Sequence, residues 1–232
     1  MKIKAVSLDV WNTLLNLDVF LREIVKQVAE LTGGPSKELY ERLSAAHIEA
    51  KNLRRKGMLR ENIVQKTQDL AADYLGISTN DFQRAIAKAV LYVDAEKLVI
   101  EGAHKALKEL SEAGLKRAVL GNVLFWPGSY TRLLLERTEL ANYIEVQFYA
   151  DEAGCQKPQK EFFELILKRF DVSVDQAIHV GDSLYEDFAG AIISGFYAAL
   201  IQPDVEDIIA LGVKAYVIPS IKYLPKLISR IG

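Results

Sequence analysis

The side chains best suited to chemistry in this sequence fall just past short apolar runs. Asp9 follows the run from Ile3 to Leu8, and Asn12-Thr13 opens a turn directly after it. A run of this length, β-rich and soon broken by polar residues, predicts a buried parallel strand. Open α/β sheets bind their ligands beyond the carboxyl ends of the strands, so a carboxylate there is placed for reaction. The other reading of Asp9 is a turn cap. This stretch alone leaves both readings open. Leu120-Gly121-Asn122 closes a second strand-like run that begins at Arg117, and Lys157-Pro158 opens a helical pattern. Gly181-Asp182-Ser183-Leu184-Tyr185-Glu186-Asp187 follows a third run, Ala177 to Val180.

These positions need a scaffold, and the hydrophobic pattern supplies one. After Leu15, four helical patterns follow one another without a strand. The first carries Phe20, Ile24, Val28 and Leu31 and stops at Thr32-Gly33-Gly34-Pro35. The second runs from about Ser36 to Lys56, with Tyr40, Leu43, His47 and Leu53 as its expected buried face. The third carries Ile63, Thr67, Leu70 and Leu75. The fourth carries Phe82, Ile86, Val90 and Val93. From about Val99 strands and helices alternate, with further strands expected at Ile144 to Tyr149, Tyr197 to Ile201 and Ala215 to Ile218. Helices are expected over Ala103 to Leu110, Tyr130 to Glu136, Phe162 to Phe170 and Asp187 to Ile193, between Ile201 and Ala215, and over Ile221 to Ile231. Such βα alternation implies a parallel sheet covered on both faces, and the helical stretch a bundle inserted after the first strand.

Composition narrows the classes. A chain of 232 residues, half of them hydrophobic, is long enough for one large domain or a core with a modest insertion. A net charge of -2 gives no reason to expect nucleic acid or an anionic membrane as partner. No apolar run approaches the ~20 residues that span a bilayer. The N-terminus lacks the pattern of a signal peptide, Asp9 interrupting the only candidate. One cysteine forms no internal disulfide, so a cytoplasmic location is expected. Oligomeric state is not legible.

In this order and spacing, Asp9 with Thr13-Leu14, Gly121-Asn122, Lys157-Pro158 and the Gly-Asp-x-x-x-x-Asp run together resemble the signature motifs of the haloacid dehalogenase superfamily. The resemblance implies a doubly wound, Rossmann-like parallel core of residues 1–15 and 97–232, with an inserted helical cap of residues 16–96. It implies that Asp9 is the nucleophile, forming an aspartyl-phosphate, and that Lys157 pairs with Asp9 and the phosphate. Trp11, Gly121 and Asn122 would lie at the substrate. Asp9, Asp182 and the backbone carbonyl of Trp11 would hold Mg²⁺, with Asp187 behind them. All-oxygen sites of this kind suit Mg²⁺, which keeps water and phosphate among its ligands. The partner would be a small phosphorylated molecule.

Two departures matter. Family phosphatases carry a second aspartate two residues after the nucleophile, where it protonates the leaving group; here that position is Trp11. An indole exchanges no proton at neutral pH, so acid–base help typically worth ~10²–10⁴-fold is missing there. Metal-independent dehalogenases of the family carry an aromatic at that position, but they lack the glycine-aspartate pair kept here as Gly181-Asp182. The second departure is Gly121, where relatives place a serine or threonine hydroxyl. A Mg²⁺-dependent phosphatase is the first reading. A 2-haloacid dehalogenase and a catalytically weak or inactive binding protein are its rivals.

Other residues carry less. Lys51, Arg54, Arg55 and Lys56 form a basic cluster read chiefly as a solvated helix face. Phe125 and Trp126 either line a pocket or are buried. Cys155 is a bystander, His179 a packed core histidine, and His47 and His104 have no partners at metal spacing.

Overall fold

A computed structural model describes residues 2–232, which divide into two compact units. The first unit takes the chain up to Asn16, Val99–Asn122 and Leu135–Gly232. Among the described residues it holds a seven-stranded sheet. Its strands are β1 (Ala5–Leu8), β2 (Lys116–Gly121), β3 (Val146–Tyr149), β4 (Ala177–Gly181), β5 (Tyr197–Ile201), β6 (Ile209–Ala210) and β7 (Ala215–Ile218). Their order is β3-β2-β1-β4-β5-β7-β6, and every pairing is parallel except β6 with β7. Every residue of β1 and β4 is buried, as in a sheet covered on both faces.

The topology explains where a site can form. From β1 the chain builds β2 and β3 on one side, then returns to lay β4 and β5 on the other. Strand order therefore reverses at β1, and it is beyond the carboxyl ends of the strands at such a point that open α/β sheets bind their ligands. Leu8, the last residue of β1, is in register with Val119 on β2 and with Val180 on β4, so the three strands finish close together, β4 one residue and β2 two residues beyond that level. Asp9, Asn122 and Asp182 are the first residues past those three strands.

The second unit comprises Leu17–Leu98 together with Val123–Leu134. Its main helices are α1 (Leu17–Thr32), α2 (Ser36–Arg55), α3 (Ile63–Leu75) and α4 (Thr79–Tyr92). α1 buries Phe20, Ile24 and Val28 at helical spacing, while Leu31, in its last turn, is exposed. α2 differs from the expected face: it buries Leu39, Leu43, Ala46, Ala50 and Arg54, leaving Tyr40, His47 and Leu53 only half-buried. Alanines read as neutral in a periodicity count, yet they are the side chains that let neighbouring helices approach closely. Gly76, at φ +69°, ends α3 where a left-handed residue is required, and Ile77 N–H then reaches Ala72 O. Ser78 Oγ accepts from Asp81 N–H and caps α4.

The segment 123–134, which the βα alternation assigned to the core, belongs to the helical unit through its aromatic residues. Phe125 is fully buried, with ring contacts to His47 and Phe82, and Trp126 packs edge-on against Phe20 at 4.8 Å. Gln68 Nε2 donates to Phe125 O at 2.8 Å, tying α3 to the same segment.

One expected helix is absent. Between Ile201 and Ala215 the chain forms the short strand β6, antiparallel to β7. Pro203 lies at the start of this stretch, and Ile209, Leu211 and Val213 alternate at a period of two with all three exposed. That is a strand pattern at a sheet edge, with no apolar helical face to bury.

Candidate active site

The turn after β1 begins with Asp9, whose N–H donates to Val180 O on β4 at 2.8 Å. Val10 O then accepts from Leu14 N–H and Leu15 N–H at 2.8 and 2.9 Å, folding the chain tightly. Asn12 takes φ +58° in that turn, a conformation asparagine tolerates better than most residues. Its side-chain amide donates to Asp182 Oδ2 at 3.0 Å, so the turn after β1 holds the acid after β4.

Lys157 lies at the centre, 1% exposed. Its Nζ is 2.6 Å from both Asp9 Oδ1 and Asp187 Oδ1. Burial alone would pull the ammonium's pKa down, but the two carboxylates outweigh it and hold it above the usual lysine range. Asp187 faces the same burial, yet the Lys157 charge and the His179 ring keep it below the usual carboxylate range. Asp9 goes the other way. Burial, reinforced by the charges of Asp187 and Asp182 and opposed by Lys157, pushes it up to about 7.

The backbone around Lys157 is clamped by Asn122. Asn122 Oδ1 accepts from Lys157 N–H at 2.9 Å, and Nδ2 donates to Lys157 O at 3.0 Å and Glu186 Oε2 at 3.2 Å. The side chain expected at the substrate is thus engaged in placing the lysine. Gly121 departs from its relatives for a visible reason: a Cβ there would lie 2.8 Å from the Tyr149 ring at the end of β3. A hydroxyl-bearing side chain does not fit while Tyr149 occupies that volume. Gly181 is constrained as tightly, since its Cβ would lie 2.2 Å from Asp187 Cγ.

Asp187 turns inward because the chain after β4 does not enter a regular helix. Leu184–Ala189 form a wide π-type turn before the helix Gly190–Ile193. Both carboxylate oxygens of Asp187 are engaged: Oδ2 accepts from Ser183 N–H at 2.9 Å, while Oδ1 meets Lys157 and His179. Asp9, Asp182 and Asp187 each place a carboxylate oxygen within 4.8 Å of the others. Three carboxylates against one ammonium leave an excess of negative charge, and the donors are all oxygen. That donor set fits a divalent hard cation, and Asp187, with both oxygens engaged, is the least suited of the three to ligate it directly.

The structure thus brings together Asp9, Asn122, Lys157, Asp182 and Asp187, with Gly121 and Gly181 giving the close approaches. Trp11 is half-buried in the turn after β1. Ser7, Asn12, Tyr149, His179 and Glu186 also belong to this group, and no spacing rule marks them. His179 is buried, but its ring contacts Ser7 and Asp187, and burial holds its pKa below the usual histidine range. The basic cluster on α2 divides. Arg54 is buried and donates to Val123 O, whereas Arg55 and Lys56 are exposed. His104 stacks edge-on with Tyr143, and Cys155, half-buried, has its thiol pushed up by burial.

Known proteins resemble this chain to different extents. Ribulose-1,5-bisphosphate 5-phosphatase of Halopiger xanaduensis is 32% identical over 111 residues, covering 48% of this chain and 45% of that protein. The chain spans about half the length of the curated relatives it matches. Among solved structures, the HAD-hydrolase YfnB of Bacillus subtilis bound to magnesium superposes with a TM-score of 0.77 at 16% identity, over 98% of this chain and 99% of that one. L-2-haloacid dehalogenase from Xanthobacter autotrophicus does so at 0.75 and 19%, over 99% and 100%. At those identities the likeness is one of fold. The model of the haloacid dehalogenase-like hydrolases matches residues 3–195, and with most of its length so covered the chain belongs to that family.

Proposed function

We propose that the chain is a Mg²⁺-dependent phosphatase acting on a small phosphorylated molecule through an aspartyl-phosphate on Asp9. The observation that carries this reading is the group of three carboxylates, two of them paired with one buried lysine, whose excess negative charge calls for a divalent cation. The phosphatase name of a relative at 32% identity supports it.

In this reading an Asp9 oxygen attacks phosphorus as the bond to the leaving oxygen breaks. Water then attacks the aspartyl-phosphate, releasing phosphate and restoring the carboxylate. Lys157 supplies positive charge beside Asp9 where the phosphoryl oxygens gather. Asn122 fixes the backbone of Lys157, and Asn12 fixes Asp182. Mg²⁺, held by Asp9, Asp182 and the Trp11 carbonyl with Asp187 behind, would offset charge on the transferring group. Trp11 gives no proton to the departing oxygen, so aryl and acyl phosphates are the preferred substrates.

The test is p-nitrophenyl phosphate hydrolysis with Mg²⁺, with EDTA, and in the Asp9→Asn variant. Turnover that needs the metal and falls to background in the variant is expected. Trp11→Asp should then raise turnover of alkyl phosphates by ~10²-fold or more; a folded variant with no gain sinks the assignment of the missing acid.

Trp11 itself favours the second reading, a metal-independent 2-haloacid dehalogenase in which Asp9 attacks carbon. Halide release from 2-chloropropionate that survives EDTA, without phosphatase turnover, would replace the first reading by this one.

A further inference from the structure

His179 lies inside β4, where a wholly apolar residue would be the simplest filling. Its ring instead joins two polar partners. Nδ1 is 2.6 Å from Ser7 Oγ, and Nε2 is 3.1 Å from Asp187 Oδ1, while Phe163 packs edge-on against the ring at 5.1 Å. Ser7 and His179 are register partners across β1 and β4. Asp187 Oδ1 in turn meets Lys157 Nζ, which meets Asp9 Oδ1. Five side chains thus form one hydrogen-bonded line from the middle of the sheet to the end of β1. All are buried, so each link is strong, and each group left without its partner would be costly.

The direction of donation follows from chemistry. An ionised carboxylate only accepts, so Nε2 must carry the ring proton towards Asp187. Nδ1 is then an acceptor and takes the Ser7 hydroxyl proton. Asp187 Oδ1 receives two donors, His179 from the sheet side and Lys157 from the Asp9 side.

We propose that His179 is a positioning residue. Oriented by Ser7, it fixes the Asp187 carboxylate, which in turn holds the Lys157 ammonium against Asp9. Glutamine can return an N–H to the place of Nε2, whereas asparagine is too short and sets its amide where Nδ1 lies. The two substitutions therefore separate positioning from packing. The catalytic part of the test rests on the phosphatase reading; the spectroscopic part does not.

The experiment pairs two measurements on the full chain. Imidazole ¹⁵N–¹H spectra of the metal-free protein should show His179 as the Nε2–H tautomer, and Ser7→Ala should weaken that preference. Steady-state hydrolysis of p-nitrophenyl phosphate with Mg²⁺ should show kcat lowered by about tenfold or more in His179→Asn, with KM within a few-fold of the parent. His179→Gln should recover most of the loss. An Nδ1–H tautomer overturns the proposal whatever the substrate. So does a His179→Asn protein with parental kcat, or a His179→Gln protein no better than His179→Asn. Where the His179 variants do not fold, Ser7→Ala decides, and an unchanged tautomer with unchanged kcat overturns the proposal. A parent chain that hydrolyses no phosphate ester sinks the function proposed above, and the tautomer then decides the hydrogen-bond line alone.

Discussion

Lys157 pairs with Asp9 and Asp187 at the same distance, 2.6 Å, yet the two carboxylates are not equally supported. Asp187 receives a second donor from His179 and an N–H from Ser183, whereas Asp9 is left to be pushed up to about 7. An acid raised in the folded state contributes stability that is present below its unfolded pKa of about 3.8 and lost as pH rises through about 7. His179, lowered on folding, has the opposite slope below its ordinary value of 6.5, so the two oppose each other in mildly acidic solution. Cation binding separates them, because Asp9 must release its proton to ligate while His179 is unaffected. The rise in Tm on adding Mg²⁺ should therefore be small at pH 5.5 and clearly larger at pH 8. In Asp9→Asn that growth with pH should vanish; a melting series with equal gains at both pH values would contradict the metal reading. Asp9 and Asp182 were legible because each follows a strand-like run, and Lys157 and Asp187 because their order and spacing complete the same set of motifs. Asn12, Ser7 and His179 were not, since an amide or imidazole gains its partner only when strands distant in sequence come into register. Gly121 was legible as a departure, but its cause, the Tyr149 ring, lies on another strand.

Among the elements, the segment after Asn122 has two affiliations. Asn122 clamps Lys157 in the core unit, and three residues later Phe125 is buried among His47 and Phe82 of the helical unit. Phe125→Ala removes a fully buried ring and should destabilise the protein by about 3–5 kcal/mol, read as a lower urea midpoint. A cost under about 1 kcal/mol would mean that the neighbouring rings collapse into the space. The helices α1, α3 and α4 were readable from apolar stripes at helical spacing. The face of α2 is hard to read because alanines carry it, and the strand before β7 because its alternating residues are few and exposed.

At the scale of the whole chain, the polypeptide passes between its two units at 16/17, 98/99, 122/123 and 134/135. The helical unit is therefore assembled from two separated pieces. Residues 17–98 alone leave Phe20 and Phe82 without Trp126 and Phe125, and should melt broadly and bind a hydrophobic dye. Adding 123–134 through a flexible linker should restore a sharp transition; a sharp melt of 17–98 by itself would count against this. The sheet has a related consequence for the order of events on the ribosome. Ala5 on β1 is in register with Lys116 and with Ala177, so both neighbours of β1 are made long after it, β4 later than β2. Until then an apolar strand with two open edges must wait while helical contacts, closer in sequence, form first. The strand that leads into the proposed nucleophile is thus made well before either of its neighbours, and a newly emerging chain should need chaperone protection at least until β4 is made.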